Sequence, residues 1–114
     1  MTRTRLFIVH ENSILAGQAA RSLNNDPSLQ VIDLLTSTHE ALVSIGEATC
    51  DFVLVSASMP KNGALQLLKC LRQQSPGVQV IVTGLANDPK QILVYTAAGA
   101  AGYSVKKEGI GAWA

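Results

Sequence analysis

Short unbroken apolar runs alternate along the chain with stretches in which apolar residues recur at helical spacing. Residues 6–9 (LFIV) form the first run, apolar and partly β-branched as a buried strand requires, and the run stops at His10 and Glu11. Asn12 is placed to cap a helix in which Ile14, Leu15, Ala19 and Leu23 recur until Asn24, Asn25, Asp26 and Pro27 break it. Residues 29–35 again favour a strand, and Ser37 with Glu40 three positions later has the form of a capping box, opening a helix through Ala41, Leu42 and Ile45. The next run, residues 52–55 (FVLV), suits a central strand covered on both faces; it ends at Ser56, and Met59-Pro60 followed by Asn62-Gly63 predicts a turn. A helix from about residue 64 to 74 follows, with Leu65, Leu68 and Leu71 on one stripe and Leu67 beside it, closed by Ser75-Pro76-Gly77. Val78, Val80, Ile81 and Val82 make a fourth strand that ends at Thr83 and Gly84. Asp88-Pro89 supplies an N-cap and a preset first turn to a helix whose predicted inward face is Ile92, Leu93, Thr96 and Ala97. A short fifth strand is expected near residues 103–105.

Five strand-helix units with short connections imply an α/β fold: a parallel, doubly wound sheet with right-handed crossovers and helices on both faces. In such sheets ligands bind just beyond the carboxyl ends of the strands, which puts Ser56 on the functional rim. At 114 residues and 47% hydrophobic content the chain is expected to form one domain, residues 1–114, with a real core. A final helix is truncated or missing, because only eight residues follow Lys106, so an apolar strip of the sheet is expected to need a cover from further chain or from a partner. Trp113 is a candidate for covering part of the sheet or anchoring an interface.

Composition narrows the function. Nine Lys and Arg against eight Asp and Glu give a formal net charge of +1, without the basic footprint of a nucleic-acid binder, so no direct contact of this domain with DNA is expected. No apolar run approaches the roughly 20 residues that span a bilayer, and no apolar signal segment opens the chain, so a cytoplasmic location without membrane contact is expected. Cys50 and Cys70 lack a CxxC or His-rich neighbourhood and read as buried free thiols.

The order of elements and two phrases, SASMPKNG at residues 56–63 and AAGAAGYSVKK at residues 97–107, resemble the receiver domains of bacterial response regulators over nearly the whole chain. The second phrase is most similar to receivers that precede a helix-turn-helix DNA-binding output domain. The resemblance implies the flavodoxin-like strand order 2-1-3-4-5 and a role in two-component signalling. It also implies a site: two acids after strand one and an Asp ending strand three hold magnesium, that Asp accepts a phosphoryl group, and a hydroxyl after strand four and a Lys after strand five contact the phosphoryl oxygens.

Carried over by position, most of that site is replaced. Ser56 stands at the acceptor position, His10 and Glu11 at the acidic pair, and Gly84 at the switch hydroxyl, with Thr83 one residue away. Tyr103 lies at the family's mobile aromatic, and Lys106 alone is retained in type. A neutral Ser hydroxyl without an activating base cannot form an acyl phosphate, and one carboxylate gives Mg²⁺ little reason to shed water. No cofactor is therefore expected beyond weak Mg²⁺ at Glu11. The expectation is a degenerate receiver, a pseudo-receiver without enzymatic activity, acting in transcription regulation through a protein partner or a homodimer on its helix-four, strand-five, helix-five side.

Other readings stand beside this one. Ser56 reads either as a nucleophile or phosphoserine with His10 as base, or as a strand-end serine bonded to nearby backbone. His10 and Glu11 form either a pH-sensitive pair or a plain polar rim, and Glu11 pairs with Lys106 if an internal counter-charge replaces the ion. Tyr103 is either a partner-surface residue or a strand aromatic half-packed on helix four. A receiver that senses a small anion near Lys106 and Ser56 is the alternative function. A flavodoxin-like carrier ranks below it, because the loop His10-Glu11-Asn12-Ser13 lacks glycine and carries an acid that repels phosphate.

Overall fold

The computed structural model describes residues 4–47 and 50–105. Lys106, Trp113 and the C-terminal stretch through which a final helix was expected to be cut short all lie outside these residues. The elements run β1 (Thr4–Val9), α1 (Ser13–Asn24), β2 (Leu29–Leu35), α2 (Thr38–Glu47), β3 (Phe52–Ser56), a 3₁₀ turn (Pro60–Asn62), α3 (Gly63–Gln74), β4 (Gln79–Leu85), α4 (Pro89–Ala97) and β5 (Gly102–Val105). All four strand pairings are parallel and the order is β2-β1-β3-β4-β5, as the resemblance implied.

Strand alternation sends one set of side chains to each face. Phe7, Val9, Val53, Val55, Val80 and Val82 form the larger core with Ile45 of α2, Leu67, Leu68 and Leu71 of α3, and Tyr95 of α4. Leu6 and Ile8 meet Ala16 and Ala20 of α1 on the other face, where Phe52 and Leu54 are only partly buried. No second helix among the described residues joins α1 there. An apolar hollow of about 230 Å³, lined by Leu6, Leu23, Leu29, Phe52, Leu54 and Ile81, marks the strip expected to need a cover.

Local signals held where a cap specified them. Asn12 Oδ1 accepts from the Ile14 and Leu15 amides at 2.9 and 3.2 Å, Ser37 Oγ accepts from the Glu40 amide at 3.1 Å, and Asp88 Oδ1 accepts from the Lys90 amide at 3.0 Å. The inward faces of two helices differ from expectation. On α1, Ala19 and Leu23 pack against the core as their spacing suggested, but Ile14 is 70% exposed and Leu15 is exposed too, while Ala16 and Ala20 face the sheet. Ile14 lies two residues, roughly 200° of helical turn, from Ala16, and small alanines let the helix approach β1 closely. On α4, Tyr95 is buried and Ile92 packs beside it, whereas Leu93 is 67% exposed and Thr96 and Ala97 face out. Thr96 turns its hydroxyl onto its own helix, donating to the Ile92 carbonyl at 2.9 Å.

The turn at residues 61–63 has a different logic from the one expected. Lys61 and Asn62 carry the positive φ angles, 58° and 56°, while Gly63 is helical and buried. A Cβ on Gly63 would meet Thr38 Oγ1 at 2.5 Å and Met59 Cβ at 3.2 Å, so this glycine provides room for α2 against α3.

Candidate functional site

The carboxyl ends of β1, β3 and β4 build the rim. β1 ends at Val9 and hands the chain to His10, whose amide donates to the Leu35 carbonyl at 2.9 Å. His10 Nδ1 then lies 2.8 Å from Glu11 Oε1 and 3.0 Å from the Asn12 amide. One nitrogen cannot serve both partners in the same way: with a proton it donates to the carboxylate, without one it accepts the Asn12 N–H.

Ser56 ends β3 and is 5% exposed, inside the rim rather than standing on it. Its Oγ lies 2.6 Å from Ser58 Oγ and accepts the Ser58 amide at 3.2 Å, so the hydroxyl is committed to the turn that leaves the strand. The Met59 amide donates to the Ser56 carbonyl at 3.2 Å and completes that turn. The strand-end reading of Ser56 thus describes its contacts. Burial raises the Glu11 carboxyl, but the Ser58 hydroxyl, its own backbone N–H, the His10 charge and the Ser56 hydroxyl outweigh this and hold it below its ordinary value. Glu11, His10, Ser56 and Ser58 are therefore one cluster.

Thr83 is the register partner of Ser56 across β3 and β4, and its Oγ1 is a long 3.5 Å from the Val55 carbonyl. Gly84 follows with φ 73°, where the β4–β5 register shifts between Val82 and Leu85; β4 thus runs on to Leu85, past the expected end. The Gly84 amide donates to Ser104 Oγ at 3.2 Å, tying the end of β4 to β5. Tyr103 pairs with Val82 and is 45% exposed, outside the Glu11 cluster.

Sequence reasoning missed Ser58 and Ser104. The S-x-S spacing at a strand end was a readable signal for Ser58, since such serines turn back on their own backbone. Ser104 left no local signal, because its partner is 20 residues away.

Cys50 is buried and Cys70 half-buried, and both are free; burial is the main cause that pushes the Cys50 thiol up, with the Asp51 charge adding to it. Among the described residues no three His, Cys, Asp or Glu side chains converge as a metal-binding group, and no helix is long and apolar enough to cross a membrane.

Residues 6–112 match the family described as the response regulator receiver domain. The chain is 31% identical over 107 residues to the response regulator GacA of Pseudomonas viridiflava, covering 93% of this chain and 50% of that protein. To the DNA-binding transcriptional activator DevR/DosR of Mycobacterium tuberculosis it is 24% identical over 102 residues, covering 90% of this chain and 47% of that protein. The chain thus spans about half the length of these relatives. In fold it is similar to the signal receiver domain of the response regulator NarL from Mycobacterium tuberculosis, with a TM-score of 0.86 at 19% identity, covering 95% of this chain and 87% of that one.

Proposed function

The chain belongs to the response regulator receiver domain family, a signal-transduction module, and from that premise we propose that it is a degenerate receiver acting without phosphorylation, through protein contacts. One observation carries this reading. At the acceptor position stands Ser56, buried, neutral and bonded through its hydroxyl to Ser58. A carboxylate attacks a phosphoryl donor and yields a labile acyl phosphate; a serine hydroxyl needs a base to take its proton. The Nδ1 of His10 faces Glu11 Oε1 and the Asn12 amide rather than Ser56.

The metal half of the chemistry is equally reduced. Mg²⁺ wants several hard oxygen ligands in near-octahedral array, and this cluster offers one carboxylate, two neutral hydroxyls and an imidazole. Such a donor set does not fit the ion. At the switch position Gly84 has no hydroxyl to follow a phosphoryl group, and Ser104 holds its amide instead. The end of β4 is thereby held to β5 by an internal bond.

The domain's contact surface is the α4–β5 side, where Leu93, Val94, Tyr103 and Val105 are exposed. This module performs no catalysis itself, holds no cofactor and leaves DNA contact to an output domain. Titration of the chain with Mg²⁺ and beryllofluoride, a phosphoryl mimic, followed by backbone chemical shifts, tests the reading. The resonances of Ser56, Thr83 and Gly84 are expected to stay in place. Saturable shifts there would overturn it and show a remnant site that still senses a ligand.

A further inference from the structure

At one end of the sheet β2 pairs with β1 alone, so the far side of β2 is a free edge. Such an edge carries a row of main-chain N–H and C=O groups with which a strand of another chain can pair. β2 has the length and composition to invite this: seven residues, LQVIDLL, with Leu34 exposed and Val31 and Ile32 half-buried.

Three of its amides are bonded to groups other than β1. The Leu29 amide donates to the Asp26 carbonyl at 3.1 Å, the Val31 amide to Asn24 Oδ1 at 3.2 Å, and the Leu34 amide to Asp33 Oδ1 at 2.8 Å. Their positions follow from the ladder. In a parallel pair every second amide turns away from the partner strand, which puts Leu29 and Val31 on the outer row while the Thr4 amide donates inward to the Ser28 carbonyl. The register then steps from Leu6 opposite Val31 to Phe7 opposite Asp33, passing over Ile32. A bulge of one residue moves the outer row from odd to even positions, and Leu34 joins it.

We propose that Asn24 and Asp33 guard this edge against strand addition by a second copy of the chain. Each places a side-chain oxygen on an outer amide that an incoming strand would need, so pairing must first displace a hydrogen bond already made. Asn24 reaches the edge from the end of α1 and Asp33 from within β2 itself, so the two cover successive outer amides on either side of the bulge. The guard turns association away from β2. It acts whether or not Ser56 can be phosphorylated, and whether or not the α4–β5 side self-associates.

The test compares the 114-residue chain with the double variant Asn24→Ala, Asp33→Ala by amide hydrogen exchange and sedimentation equilibrium. At low concentration the Val31 and Leu34 amides should exchange faster in the variant. At high concentration the variant should associate, and the same two amides should slow by at least about tenfold as a new pairing takes them up, while those of the native chain do not change. Replacing Asp33 by Asn in the Asn24→Ala background keeps an oxygen for the Leu34 amide without the charge, and association should weaken again. A double variant that associates no more than the native chain, or associates without protecting Val31 and Leu34, would overturn the proposal. Equal association with Asn or Ala at position 33 would overturn it too, since the charge alone would then be the guard. If the double variant loses its native spectrum, the single variants are read the same way, Val31 in Asn24→Ala and Leu34 in Asp33→Ala.

Discussion

Ser56 shows how much one side chain decides. Its position at the end of β3 was legible from the apolar run before it and the Pro and Asn-Gly after it; its burial and its bond to Ser58 were not, because both depend on how the loop folds back. Ser56→Asp places a second carboxylate in a buried position beside Glu11. Urea denaturation at pH 7 should show a loss of about 1–3 kcal/mol, the usual range for an imperfectly paired buried polar group, and millimolar Mg²⁺ should recover part of it. No destabilisation, or no Mg²⁺ effect, would mean that the cluster already accommodates a second acid. Glu11 supports a pH prediction. Its folded carboxyl lies below its ordinary value of 4.5, so its charge contributes stability above that value, and the contribution disappears as pH falls through the lowered folded value. The difference in urea midpoint between the native chain and Glu11→Gln should therefore be full near neutral pH and close in acid.

Among the elements, capped boundaries followed from sequence and inward faces did not always. Asn12, Ser37 and Asp88 act within three residues, so local chemistry specifies them. Which stripe of a helix is buried depends on the surface it meets: α1 buries alanines and exposes Ile14, and α4 buries Tyr95 and exposes Leu93. β4 adds a backbone effect. Gly84 sits at φ 73° inside the strand, with open space where a Cβ would be, so a side chain there is limited by conformation alone. Gly84→Thr, which returns a hydroxyl to the family's switch position, should cost about 1–2 kcal/mol because an L-residue is strained in the left-handed region. Chemical denaturation measures this, and an unchanged midpoint would show that the bulge relaxes.

For the whole molecule, five parallel strands carry α2, α3 and α4 on one face and α1 on the other, with an apolar hollow beside α1. At the β5 edge, α4 and β5 expose Leu93, Val94, Tyr103 and Val105. If self-association through this side is how the domain acts, Leu93→Glu should shift sedimentation equilibrium toward monomer while leaving the backbone spectrum native, since Leu93 is exposed. A native chain that is monomeric at high concentration would leave a different partner to find. The alternation of strands and helices, the capped boundaries and the residue types at Ser56, His10, Glu11 and Gly84 were determined by the sequence, because periodicity, caps and residue chemistry act locally or by type, while the strand order followed from the family resemblance. Tertiary structure alone decided that Ser56 is buried on Ser58, that Ser104 holds Gly84, and that Tyr95 is the buried residue of α4. Each of those joins or places groups through the packing of strands and loops, and no local pattern records which distant side chain will fill a given space.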